Sequence, residues 1–310
     1  MKILDEFMTG LYTGEPVEYN RLKVIPILVD EDRKLPFIDL DEALKQGFIV
    51  ITEVSEGGSV PDLQVSNKSD ADVIILDGEE LIGAKQNRIV NTTIVVPAAA
   101  TLKIPVSCVE QGRWHYTSRH FEASKSVAYA SLRRLKHERV TENLRAAAGY
   151  RADQGEIWDD VEAKAARMST ASPSMAMADI FEQMEASDAE LQTEIPHQEK
   201  QVGFLAFIDG NFAGGEVFGS ADLCRRKLQK LMRSYYLDSL DRGVEFPAIT
   251  IEQIFAQVQN AKHEQFDSIG KGTELRFEAP NVTGSWKLVD DVIPHLLVFP
   301  KAAKGVRGKG

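Results

Sequence analysis

Long apolar runs are missing from this 310-residue chain. No stretch approaches the roughly 20 apolar residues that a membrane-spanning helix needs, so no membrane partner is expected. The opening residues, Met1-Lys2-Ile3-Leu4-Asp5-Glu6, lack the extended apolar core of a secretion signal, and a cytoplasmic protein is expected. Cysteine is scarce. Cys108 and Cys224 stand far apart without disulfide or zinc spacing, which fits a reducing compartment. An excess of positive charge is also absent: the formal net charge is -11, which argues against general affinity for nucleic acid. Gly214, Gly215 and Gly219 are not followed by the Lys-Ser/Thr of a phosphate loop. No Ser-His-Asp order points to a hydrolase triad.

What is present is an ordinary globular balance, with 43% hydrophobic and 27% charged residues. A chain of this length buries a core without covalent staples. Short runs with strand-like alternation recur through Tyr19–Asp30, Phe48–Val54, Leu63–Asn67, Val73–Leu76, Arg88–Val96 and Thr101–Val109, split by turn residues. Asp39 and Gly47 bracket a short helix as cap and stop. Phe121–Gly149 and Glu156–Met168 carry helical apolar spacing, and Ser172-Pro173 reads as the start of another helix to about Leu191. Strand texture returns in Gln201–Val217, with a hairpin signal at Asp209-Gly210. Ser220 caps a helix over Ala221–Leu240, and Thr250-Ile251-Glu252-Gln253 has capping-box spacing. Leu275–Phe277, Ser285–Val289 and Ile293–Phe299 read as terminal strands.

These elements predict an α+β fold: a largely antiparallel β-sandwich or barrel-like sheet with packed helices and a helical insertion. The expected organisation is a β-rich part of the main domain (1–120), a helical insertion (121–200), an α+β remainder (201–300) and a mobile basic tail (301–310). The insertion reads as a plain helical layer, a lid or a homo-oligomer surface.

Two polar segments stand out. Asp77–Arg88 concentrates Glu79, Glu80, Lys85, Gln86, Asn87 and Arg88 around Leu81 and Ile82. Lysine and arginine pair with anionic oxygens, arginine in a two-pronged geometry, and the amides donate and accept. The same composition also suits a charged hairpin edge that resists aggregation. Cys108–Tyr116 follows an apolar strand and supplies Glu110, Arg113 and Trp114. Trp114 either stacks on a ligand ring or closes the core. Cys108 is expected to be an inert buried thiol. Cys108, Glu110, His115 and His120 hold metal-capable atoms but lack a compact ligand pattern, and no metal site is predicted. His295, in an apolar strand, is expected to be structural.

Gly78-Glu79-Glu80-Leu81-Ile82-Gly83-Ala84-Lys85-Gln86-Asn87-Arg88, Asn91-Thr92-Thr93 and Ile104–Trp114 together resemble the domain family associated with ADP-ribosylglycohydrolases and rhodanese-phosphatases. Gly219-Ser220 and the helix through Arg233–Tyr236 extend the similarity. The resemblance implies a context of ADP-ribose and phosphate enzymes. It favours a site over an edge in Asp77–Arg88.

The leading expectation is binding or processing of a nucleotide-derived, ADP-ribose-like or phosphorylated-sugar molecule. The sequence names no reaction. Lys85, Arg88 and Arg113 would hold anionic oxygens, Gln86, Asn87 and Asn91 would orient polar groups, and Trp114 would stack. Glu79 or Glu110 would act as the base if catalysis occurs. Two further readings stay open: a non-enzymatic assembly or regulatory module, and a metal-assisted hydrolase using Glu110, His115 and His120.

Overall fold

The computed structural model describes residues 2–182, 184 and 187–301. Among these residues the strands form three sheets. In the largest, nine-stranded sheet, β1 (Leu11–Thr13), β3 (Leu22–Val29), β13 (Gln201–Ile208), β14 (Asn211–Phe218), β18 (His295–Pro300), β17 (Val282–Leu288), β16 (Thr273–Glu278) and β15 (Lys262–Asp267) lie side by side in that order. β2 (Val17–Tyr19) pairs with β3. The six-stranded sheet runs β12 (Phe121–Val127), β8 (Glu79–Gly83), β9 (Arg88–Val90), β11 (Thr101–Cys108), β6 (Asp62–Asn67), β5 (Ile49–Glu53). Its edge strands curl back beside each other, making a half-barrel. β10 (Ile94–Val96), β7 (Asp72–Ile75) and β4 (Phe37–Asp39) form the third sheet, in which β4 and β7 are parallel. The α+β fold with mostly antiparallel sheets is as expected.

Eight helices are described: α1 (Lys2–Thr9), α2 (Leu40–Lys45), α3 (Ala130–Arg145), α4 (Gln154–Arg167), α5 (Met177–Glu182), α6 (Asp188–Glu194), α7 (Ala221–Leu240) and α8 (Ile251–Asn260). Their ends follow local chemistry. Asp39, Ser220 and Thr250 accept backbone N–H groups at the starts of α2, α7 and α8, and Thr250 with Gln253 completes a capping box. Leu228, Leu231, Met232 and Tyr235 of α7 are buried against the large sheet. The leucine and methionine side chains each contribute roughly 1.5–3 kcal/mol by leaving water. A second core lies under α1 and α8, and a third fills the curl of the six-stranded sheet, where Leu63, Leu81, Val90 and Ile104 meet.

Three expected elements differ. Phe121–Val127 is strand, not helix, because it pairs with β8 and satisfies backbone groups that would otherwise be buried unpaired. The helix expected from Pro173 begins only at Met177, since Ser172 Oγ accepts from Ala176 N and closes a turn first. β15 has no apolar alternation for the sequence to reveal; it is the outer strand of its sheet. The expected tail, beyond Lys301, lies outside the described residues.

The large sheet meets α3 through charge rather than hydrocarbon. Arg133 Nη1 donates to Glu216 at 2.6 Å and Arg133 Nε to Asp77 at 3.2 Å; Lys136 also pairs with Asp77. His295 bridges Glu216 at 2.9 Å and Thr93 at 2.8 Å while stacking on Phe218, a structural role. Arg276 binds Thr141, the His137 carbonyl and Glu274. Gly78 has φ +78°, and an added Cβ would sit 2.7 Å from Arg133 Nε. Gly78→Ala therefore strains the backbone and pushes Arg133 off Asp77. The expected loss is about 2 kcal/mol by urea unfolding. An unchanged midpoint would show that Arg133 has room to shift.

Candidate functional site

Asp77–Trp114 is not a solvated edge. β8 has β12 on one side and β9 on the other, and Asp77, Glu79, Glu80 and Arg88 are buried. Register then sorts the polar side chains, because directly opposed residues point to the same face. Leu81 opposes Arg88, and Arg88 opposes Cys108, so all three face the inside of the curl. Glu53, opposite Leu63, joins them from β5. Glu80 opposes Ile89 and faces the helices.

The sequence-selected residues fall into separate groups. Glu79 belongs to an ion cluster with α7. Its Oε1 accepts from Lys227 at 2.8 Å and its Oε2 accepts from Leu76 N at 2.9 Å. Lys227 also reaches Asp41 and Asp39, Lys230 reaches Asp41, and Arg226 reaches Asp39. Arg226, Lys227 and Lys230 of α7 thus meet carboxylates. Burial disfavours the Lys227 ammonium, but Glu79, Asp41 and Asp39 outweigh it and hold its pKa above the ordinary range.

Gln86, Asn87, Glu110 and Arg113 tie two loops together. Arg113 Nε and Nη2 donate to Glu110 at 2.8 and 2.6 Å, and Arg113 also reaches the Ala84 carbonyl and Asn87 Oδ1. Asn87 N donates to Glu110 at 3.0 Å, and Gln86 Nε2 donates to the Glu110 carbonyl. Burial pushes the Glu110 carboxyl up, but Arg113 and the Asn87 amide more than offset this and leave it below its usual value. Asn91 is spent on the Tyr150 carbonyl and Ser107. The Cys108 thiol donates to Gln86 Oε1, and burial raises its pKa, as an inert thiol requires.

Lys85, Arg88 and Trp114 converge with Glu53 at one end of the curl. Arg88 is fully buried, and its Nη1 donates to Gln86 Oε1 at 3.1 Å. Its Nε and Nη2 have no hydrogen-bonding partner in the protein, and neither do the two Glu53 oxygens. Arg88 Nη2 and Glu53 Oε1 stand 4.0 Å apart, too far for a direct hydrogen bond. Burial lowers the Arg88 pKa from its ordinary value. Trp114 roofs this pair, with its ring centroid 5.7 Å from the guanidinium carbon and 47% of the residue exposed. Lys85 Nζ lies 5.3 Å from the Trp114 ring and 5.1 Å from the Tyr116 ring, and donates to the Gly57 carbonyl. Gly58, at φ +78°, closes the side: an added Cβ would lie 3.2 Å from Lys85, and 3.4 Å from both Glu53 and Trp114. The surface cavities of about 440, 530 and 770 Å³ are lined by other residues.

Sequence reasoning did not select Glu53. Its signal was parity: in Ile49-Val50-Ile51-Thr52-Glu53 the charged residue follows the inward-facing isoleucines. Glu110, His115 and His120 do not assemble. Glu110 is held by Arg113, the two histidines are exposed, and no three metal-capable side chains cluster among the described residues. Among the same residues, no helix is long and apolar enough to cross a membrane.

Fold and site define an α+β protein with a buried, incompletely paired arginine–carboxylate centre at the mouth of a half-barrel. The chain belongs to the family of the ARG and Rhodanese-Phosphatase-superfamily-associated Protein domain, which matches residues 10–299. No curated protein and no solved structure matches it.

Proposed function

We propose that this protein binds a nucleotide-derived small molecule, ADP-ribose-like or a phosphorylated sugar, under Trp114 at the mouth of the six-stranded sheet. One observation carries the reading: Arg88 is fully buried with two nitrogens that no protein atom satisfies. Leaving such a group unpaired costs on the order of 1–3 kcal/mol, more when it is charged, and ligand oxygens would recover that cost. Lys85 lies at the rim, where it would meet a phosphate once released from the Gly57 carbonyl. The exposed face of Trp114 offers a stacking surface for a base or sugar. The family's named association with ADP-ribosylglycohydrolases and rhodanese-phosphatases agrees with a ligand of this kind. Gln86, Asn87 and Arg113 position the loops around it. Glu79 and Glu110 carry hydrogen bonds on both carboxylate oxygens and enter the proposal as positioning groups.

Calorimetric titration of the intact protein with ADP-ribose, NAD and ribose 5-phosphate tests this reading. Saturable binding of at least one is expected, weakened about tenfold or more by Trp114→Ala, equivalent to about 1.4 kcal/mol. Folded protein that takes up none of them at millimolar concentration would overturn it.

A further inference from the structure

We infer that Glu53 is the specificity-determining residue of this site, and that it selects ligands carrying adjacent hydroxyl groups. The inference rests on the proposed ligand site and names what that site reads. Its basis is the mismatch between Glu53 and Arg88. Both side chains are inside the half-barrel, at 3% and 0% exposure, and they face each other at 4.0 Å without a hydrogen bond. Each leaves two polar atoms without a partner in the protein.

The chemistry of the gap narrows its occupant. A phosphate or carboxylate placed there would satisfy Arg88 but abut the Glu53 carboxylate. An ammonium would satisfy Glu53 but abut the guanidinium. A hydroxyl does both, accepting from Arg88 and donating to Glu53. An oxygen about 2.8 Å from each group reaches both from beside the line that joins them. Glu53 has a second unpartnered oxygen. Two neighbouring hydroxyls, as on the 2 and 3 positions of a ribose, would use both carboxylate oxygens. Lys85 sits beside the same carboxylate, since both lie against Gly58. A phosphate on the sugar would therefore be met at the rim while the hydroxyls are read inside.

A site built to receive a hydroxyl discriminates strongly against a ligand without it, because its own buried polar atoms then stay unpaired. Trp114 reports occupancy, since it covers the pair and its fluorescence changes when it is displaced or stacked.

The test uses the full chain and two probes, ribose 5-phosphate and 2-deoxyribose 5-phosphate, titrated by calorimetry and by tryptophan fluorescence. The native protein is expected to bind the ribose compound at least tenfold more tightly. Glu53→Gln is expected to bind both sugars alike, near the level of the deoxy compound. Equal affinity of the native protein for the two sugars would overturn the role of Glu53 while leaving the ligand site standing. So would a ribose preference that survives Glu53→Gln. Failure of both probes to bind folded native protein would overturn the ligand site itself, and this inference with it. The comparison of the two sugars on native protein decides the matter even if Glu53→Gln does not fold.

Discussion

Replacing Arg133 by methionine is expected to cost about 3–5 kcal/mol of stability, a large fraction of the roughly 5–15 kcal/mol that holds a folded protein together. Arg133 is fully buried and makes two carboxylate contacts, to Glu216 and Asp77, with Phe299 against its guanidinium face. Methionine fills much of the volume but leaves Glu216 with His295 and Asp77 with Lys136. The loss is larger than for a surface pair because the carboxylates have no water to turn to. Burial alone would raise the Glu216 pKa. Arg133 and His295 outweigh it and bring it from 4.5 to about 2. A depressed folded-state pKa contributes stability that is present above 4.5 and lost as pH falls through about 2. Arg133→Met should therefore also move acid unfolding to higher pH. Urea unfolding at pH 7 and an acid titration by circular dichroism measure the two effects. A loss below about 1 kcal/mol would mean that Lys136 and His295 suffice to hold the two carboxylates.

This charged layer shows where sequence reading succeeds and where it stops. The hairpin at Asp209-Gly210 and the Thr250 capping box were legible because their signals lie within a few residues. α7 was legible because its buried face is apolar. α3 was only partly so: the face it buries mixes Arg133, Lys136, His137 and Thr141 with Ala130, Leu132 and Val140, so charged and polar groups interrupt its apolar stripe. Hydrophobic periodicity is blind to a helix packed through ion pairs. β12 was read as helix because its pairing with β8 is a property of the sheet, not of Phe121–Val127 alone.

The candidate site divides in the same way. That Asp77–Trp114 is unusual was visible from composition. Its division into an ion cluster, a loop tie and a ligand-facing pair was not. That division follows from strand register, which sends Arg88 and Glu80 to opposite faces although they belong to neighbouring strands. Glu53 comes from the far side of the sheet, separated from β9 by β11 and β6. No local pattern links it to Arg88; only the curl of the sheet does. The Arg113 guanidinium looked like an anion binder by residue type, yet the structure commits it to Glu110 and to backbone carbonyls.

Glu80→Gln is expected to remove about 3 kcal/mol of pH dependence from the stability of the fold. Glu80 is fully buried, and neither oxygen has a well-formed hydrogen bond. Burial raises its pKa from 4.5 to about 7; Ser124, Lys230 and Arg233 offset part of that, and nearby Glu110 adds to it. The folded state thus holds this proton more tightly than the unfolded chain. The contribution is fully present below pH 4.5 and is lost as pH rises through about 7. Native protein should therefore lose stability from this group between pH 5 and pH 8, while the glutamine variant, which has no proton to give up, should not. A buried glutamine carries its own unpaired amide, so absolute stability at pH 5 is not the measure. The difference between pH 5 and pH 8, taken from urea unfolding of both proteins, isolates the group. Parallel pH profiles would show that Glu80 titrates like an exposed carboxylate and that its surroundings are wet. Because Glu80 faces the helices and Arg88 the inside of the curl, the same variant should keep ligand affinity within about threefold of native. A collapse of affinity alongside an altered pH profile would mean that the two faces of β8 are coupled, and that the mouth of the half-barrel senses the protonation of its outer wall.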